Sequence, residues 1–353
     1  MTLLYIDPGT GSALFSIIIG ATAAVYFLLR AAILKLKIVL SGGKPSQGGK
    51  NTFVIYAEDK RYWSLFKPVL DEFEDRKTEL LYLTSSPDDP VFDGGYTYIK
   101  GELLREGNKA YARLNFLSAD FLLATTPGLD VYQWKRSKGV GHYAHVLHMV
   151  SDATTYRMFG LDYFDSVLMT GSYQGDDIRR IEAVRGLSKK ELVTVGCSYL
   201  DEFQKKLSLI PQEDTHPFTV LVSPSWGPSA LLSLYGEELL DPLVSADFRI
   251  IIRPHPQSKI SESKILERLT ERYKSAGNVI WDYERDNIYS LAKADIMISD
   301  FSGIIFDYAF LRDKPVLYVN YELDLRPYDA YFLPGSELWQ TKTLREIGVD
   351  KLL

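Results

Sequence analysis

Apolar and polar positions along this chain switch period repeatedly, and each switch marks an element. From residue 52 onward, runs rich in β-branched and aromatic residues alternate with runs of helical spacing. Residues 52–57 (TFVIYA) predict a strand, and residues 63–73 carry apolar positions at helical spacing. Strands are expected next at 80–84, 96–99, 121–125, 164–170 and 192–195, with a helix at 110–117. Residues 210–217 (IPQEDTHP) are polar and bracketed by proline, as a linker should be. A second series follows, with strands at 218–222, 249–252, 279–281, 295–298 and 315–319. Helices are expected between them at 231–240, 262–273, 288–292 and 304–311. Such alternation predicts an α/β chain with parallel sheets covered on both faces. Two domains, 52–209 and 218–353, would then face each other across a cleft at the C-terminal ends of their strands.

The first stretch breaks that rhythm. Residues 12–29 read SALFSIIIGATAAVYFLL without a charge, at the threshold of about 18 residues for a membrane-spanning helix. Only Asp7 precedes this run, and Arg30, Lys35, Lys37, Lys44 and Lys50 follow it, the reverse of a secretory signal. The asymmetry predicts an N-terminal transmembrane helix within residues 1–40, a single pass through the cell membrane, and a cytoplasmic body. Residues 41–51, rich in glycine, read as a flexible tether.

Composition changes this picture little. A length of 353 residues exceeds what one core usually supports. The net charge of -6 gives no case for a nucleic-acid partner. A single cysteine, Cys197, excludes an internal disulfide, and no HExxH pattern supports a metal. Neither a metal nor a cofactor is expected. The chain also lacks GxGxxG and Walker-type phosphate loops.

Candidate chemistry gathers at three places. The strand 249–252 ends in Arg253-Pro-His-Pro256, where prolines stop the chain from running on into a helix. Arg253 offers a fork for phosphate oxygens and His255 a further donor. The run Ser299-Asp300-Phe301-Ser302-Gly303 joins a strand to a helix, with Ser302 as the expected N-cap and Gly303 allowing close approach to the backbone. Amides at such a helix start favour anions. By spacing alone, each place is as well explained by a turn or a cap as by a ligand. The third place holds His142, His145 and His148 within seven residues. One of them facing the cleft could act as a base near neutral pH.

At these motifs the sequence resembles the CDP-glycerol glycerophosphotransferase family, the teichoic-acid primases and polymerases of glycosyltransferase-B fold. The resemblance rests on Arg253-Pro-His-Pro256, Ser299-Asp-Phe-Ser302, Phe306-Asp-Tyr308 and Lys314-Pro-Val-Leu-Tyr318. It implies two Rossmann-like domains, with 52–209 on the acceptor side and 218–353 binding the nucleotide donor. It further implies a CDP-alcohol donor, a lipid-linked or glycan acceptor at the membrane, and transfer of a phosphoalcohol in cell-envelope polymer synthesis. Arg253, Ser299, Asp300, Ser302 and Gly303 would bind substrate, and His148 and His255 would be catalytic. The family's first-domain signature is a His-Gly pair, which this sequence lacks. His148 is its positional counterpart, with His142 and His145 as alternatives. A sugar transferase using a UDP- or CMP-linked donor, or an inactive nucleotide-binding membrane protein, would have the same fold.

Overall fold

A computed structural model of the chain describes residues 51–105, 107–211, 215–284, 286–319 and 324–333. The apolar run 12–29 and the expected tether lie outside the described residues, save Asn51. Among the described residues, no helix is long and apolar enough to cross a membrane.

Two parallel sheets organise the chain. The first contains β1 (Asn51–Ala57), β2 (Leu80–Thr84), β3 (Ile99–Leu103), β4 (Ser118–Ala124), β5 (Gly139–Val146), β6 (Ser166–Met169) and β7 (Glu191–Thr194). Their order is β3-β2-β1-β4-β5-β6-β7. The second contains β8 (Thr219–Val222), β9 (Arg249–Ile252), β10 (Val279–Trp281), β11 (Ile296–Ser299) and β12 (Val316–Tyr318), in the order β10-β9-β8-β11-β12. In both sheets the chain reverses its direction of travel beside the first strand, and such a switch point opens a crevice at the strand ends.

The inner strands are apolar throughout because helices cover both of their faces. All positions of β2 (LLYLT) and β8 (TVLV) are buried. In the second sheet Val220, Val222, Ile250 and Ile252 pack with Leu266 and Leu269 of helix Ser263–Tyr273. Leu221, Ile251 and Met297 point to the opposite core, with Ile305 and Tyr308 of helix Ile304–Arg312. Alternation along each strand produces this division.

Three segments depart from their expected places. The edge strand β3 begins where 96–99 was expected to end, because its sequence IKGEL has little apolar patterning. The strand β5, which ends at Val146, has no counterpart among the strands expected from the sequence. Two glycines obscure that strand, and both are sterically required. A Cβ at Gly139 would lie 2.7 Å from Leu117 O, and one at Gly141 2.9 Å from Asp120 O. The helix Tyr173–Arg185 carries no clear apolar stripe, burying Gln174 and Glu182 beside Ile178 and Ile181.

Helix Ser198–Ser208 ties the two halves together. Ser198 Oγ donates to Leu65 O at 2.7 Å, while Tyr199 OH donates to Asp307 and Lys206 Nζ to Asp286 in the second half. The chain also returns. Asp329 N–H donates to Tyr156 O at 2.9 Å, and Met158 N–H to Pro327 O at 3.1 Å. Beside these contacts Arg185 pairs with Asp162 and Asp329, each at 2.6 Å, under the rings of Phe159 and Phe332.

Candidate active site

The crevices of the two sheets meet in one cleft containing two adjoining cavities of about 450 and 350 Å³. Arg61, Ser64, Phe203, Asn287 and Ile304 line both cavities. His255, Arg253 and Ser302 border the larger, and His148, Gly303 and Asp307 border the smaller. Residues from the ends of β1, β5, β9 and β11 are thereby brought within one space.

His148 sits two residues past β5, where the strand has ended and the side chain can turn to the cleft. Its Nδ1 lies 2.7 Å from Thr125 Oγ1 and 3.2 Å from Tyr156 OH. The Thr125 hydroxyl also lies 2.8 Å from Val146 O, to which only it can donate. One proton assignment serves both short contacts: Thr125 donates to Val146 O, and His148 Nδ1–H donates to Thr125. The lone pair is then on Nε2. Burial, reinforced by the positive charge of Arg61, lowers the His148 pKa to about 4, so the ring is a neutral base at physiological pH. The other two histidines of the cluster are elsewhere. His145 is fully buried in the core, and that burial holds its pKa well below the ordinary value. His142 stacks on Phe121 at 5.3 Å and contacts Ser166 Oγ at 2.9 Å.

In the second half, the expected ligands divide into two groups. Ser299 and Asp300 are fully buried. Ser299 Oγ donates to Ser223 O at 2.6 Å, and Asp300 accepts the N–H groups of Ser225, Leu231 and Ser302 at 2.8, 2.8 and 3.2 Å. They hold the loops in shape and do not face the cavity. Arg253 is likewise committed: Nη1 pairs with Asp282 at 2.5 Å and Nη2 donates to Glu284 O at 2.7 Å. The open phosphate fork expected of it is a bracket between the ends of β9 and β10.

Ser302, Gly303 and His255 do face the cleft. The helix N-cap is Gly303, with no side-chain cap, so Ser302 does not play the capping role expected of it. No acceptor among the described residues takes the N–H of Gly303 or of Ile304. A Cβ at Gly303 would meet only Ser151 Oγ, at 3.8 Å, so the space over this backbone is open. His255 Nδ1 accepts the Gln257 N–H at 3.1 Å. The neutral ring therefore carries its proton on Nε2, as a donor. Its pKa is lowered chiefly by burial.

Three further residues complete the site. Arg61 lines both cavities, and its charge contributes to lowering the pKa of both His148 and His255. Its ion pair is a loose 3.9 Å contact to Asp59, and its side chain is 64% exposed. That cation is therefore available to a ligand. Asn287 has a buried Oδ1 with no partner among the described residues. Asp307 lies in the smaller cavity, its pKa raised to about 6 by burial and held by Tyr199. In the sequence, Arg61 is one charge in the polar run Glu58-Asp59-Lys60-Arg61. Its place after a central strand was the available signal. Burial pushes the Cys197 thiol up to about 12, which leaves it inert.

Comparison with known proteins agrees with this fold. Residues 220–331 match the family model for CDP-Glycerol:Poly(glycerophosphate) glycerophosphotransferase. The structure is similar to that of the wall teichoic acid polymerase TagF, with a TM-score of 0.51, 15% identity, and coverage of 86% of this chain and 82% of that one. A TagF variant soaked with CDPG is similar at a TM-score of 0.50 and 14% identity, over 88% and 83% of the two chains. The UDP-GlcNAc 2-epimerase from Neisseria meningitidis, bound to UDP-GlcNAc, shares the frame at a TM-score of 0.50 and 12% identity, over 78% and 83%. No curated protein sequence matches the chain. Residues 220–331 are thus similar to the CDP-glycerol glycerophosphotransferases, and the chain shares a glycosyltransferase-B-like α/β frame with its structural neighbours.

Proposed function

We propose that the chain transfers glycerol phosphate, or a closely related phosphoalcohol, from a CDP-alcohol to a hydroxyl acceptor in teichoic-acid-type polymer synthesis. One observation carries this reading. A neutral histidine with its lone pair free, His148, and a set of anion-binding donors open onto the same cleft. The acceptor oxygen attacks the β-phosphorus of the donor while His148 Nε2 takes its proton. The bond from that phosphorus to the bridging oxygen breaks, and CMP leaves with the electron pair. His255 Nε2–H, the amides of Gly303 and Ile304, and Arg61 stabilise charge on the transferring and leaving phosphates. Trp226, 43% exposed and tilted against His255 at 6.2 Å, offers a face for the nucleobase.

The apolar run 12–29 supports a membrane location, with the body on the cytoplasmic side beside a lipid-linked or glycan acceptor. The shared frame with an epimerase bound to UDP-GlcNAc favours a UDP-sugar donor as the second reading. Release of CMP from CDP-glycerol by the purified full-length chain, given a glycerol-phosphate-ended acceptor, tests the assignment. Gly303→Leu should fold normally, since φ there is -60° and its Cβ would meet no close neighbour, yet lose donor binding. His148→Asn should bind donor and lose about 10²–10⁴-fold in rate. UDP release from a UDP-sugar, or nucleotide binding without turnover, would overturn it.

A further inference from the structure

At the N-terminal edge of the second sheet, the end away from the cleft, lies another cavity, of about 190 Å³. Arg249 begins β9 and lies four positions before Arg253, about 13 Å at strand rise. His216, Arg249, Lys293, Arg312 and Lys314 converge on this cavity. Lys314 is paired with Asp295 at 2.8 Å, and His216 lies 3.5 Å from the same carboxylate. Arg249, Lys293 and Arg312 have no ion-pair partner among the described residues, and the Nε of Arg312 is buried without an acceptor. Lys293 and Arg312 each occupy the last turn of a helix, where the helix dipole favours a cation. The dipole accounts for each position separately but not for the convergence of three unpaired cations on a chain of net charge -6.

We propose that this cavity is a second anion site, built for a phosphate group. Two guanidinium forks and an ammonium match the oxygens of phosphate better than those of a carboxylate. The volume lies below the roughly 300 Å³ at which pockets begin to enclose a drug-sized ligand. A phosphate or a phospholipid headgroup fits, and a nucleotide does not.

The test is titration of the full-length chain in detergent with inorganic phosphate, followed by phosphorus NMR, in the wild type, His255→Ala, Arg249→Gln/Arg312→Gln and Lys293→Glu. Phosphate binding should persist in His255→Ala and weaken by about tenfold or more in the other two. Lys293 is exposed, so its variant remains informative if the double arginine variant fails to fold. A parallel arm measures co-sedimentation with phosphatidylcholine vesicles with and without phosphatidylglycerol. An increment due to phosphatidylglycerol that disappears in Lys293→Glu identifies a lipid headgroup as the source. Phosphate binding without that increment identifies a free phosphate. Unchanged phosphate affinity and unchanged vesicle binding in Lys293→Glu and the double variant would overturn the proposal.

Discussion

His148 shows how much of the candidate chemistry depends on a proton's location. The Thr125 hydroxyl, given to Val146 O, forces His148 to donate from Nδ1 and leaves Nε2 as the base. Burial and Arg61 then keep the ring neutral down to about pH 4 in the free protein. A donor diphosphate beside Arg61 would offset that positive charge and raise the His148 pKa. The rate requires the neutral ring, so it should fall as pH drops through the pKa. The acid limb of kcat/KM, which reports the free protein, should therefore lie near pH 4, with that of kcat at higher pH. Measured pH profiles with the two limbs in the opposite order would contradict this arrangement.

At the scale of elements, the ends of β9 and β10 are joined by Arg253 and Asp282, with side chains 12% and 11% exposed. Removing one partner of so buried a pair leaves the other charged and desolvated. Arg253→Met should destabilise the protein by about 3–5 kcal/mol, with much of the loss recovered in Arg253→Met/Asp282→Leu. Denaturant titration of the two variants checks this. A ligand-only arginine would instead lower donor affinity and leave stability unchanged. The motif Arg253-Pro-His-Pro256 was legible in the sequence, and so was the abrupt strand end it creates. Its arginine's partner was not, because Asp282 is 29 residues away and meets it only when β10 pairs with β9.

Across the whole molecule, helix Ser198–Ser208 and the returning segment 324–333 connect the halves by two separate routes. The second route converges on Arg185, whose side chain is 7% exposed between two carboxylates at 5%. Arg185→Met would leave both acids buried without their cation, a loss of about 3–5 kcal/mol. The same change loosens the returning segment from the first half. Calorimetry should accordingly show a lower Tm and two separate transitions in the variant, against one in the wild type.

Both parallel sheets and most of their strands were readable from local pattern, because parallel strands covered on both faces must be apolar along their length. The strand missed in outline, β5, was hidden by glycines whose reason is the backbone of the neighbouring β4. The site divides in the same way. The clustered histidines and the run Ser299–Gly303 stood out, since strand ends carrying polar residues are visible locally. Their roles were not visible: Ser299 and Asp300 are buried scaffolding, Gly303 and Ile304 present the open amides, and Arg61 joins the site across the cleft. Local periodicity records which face of an element is buried. Which group is left without a partner depends on contacts between residues far apart in the chain, and only the tertiary structure decides that.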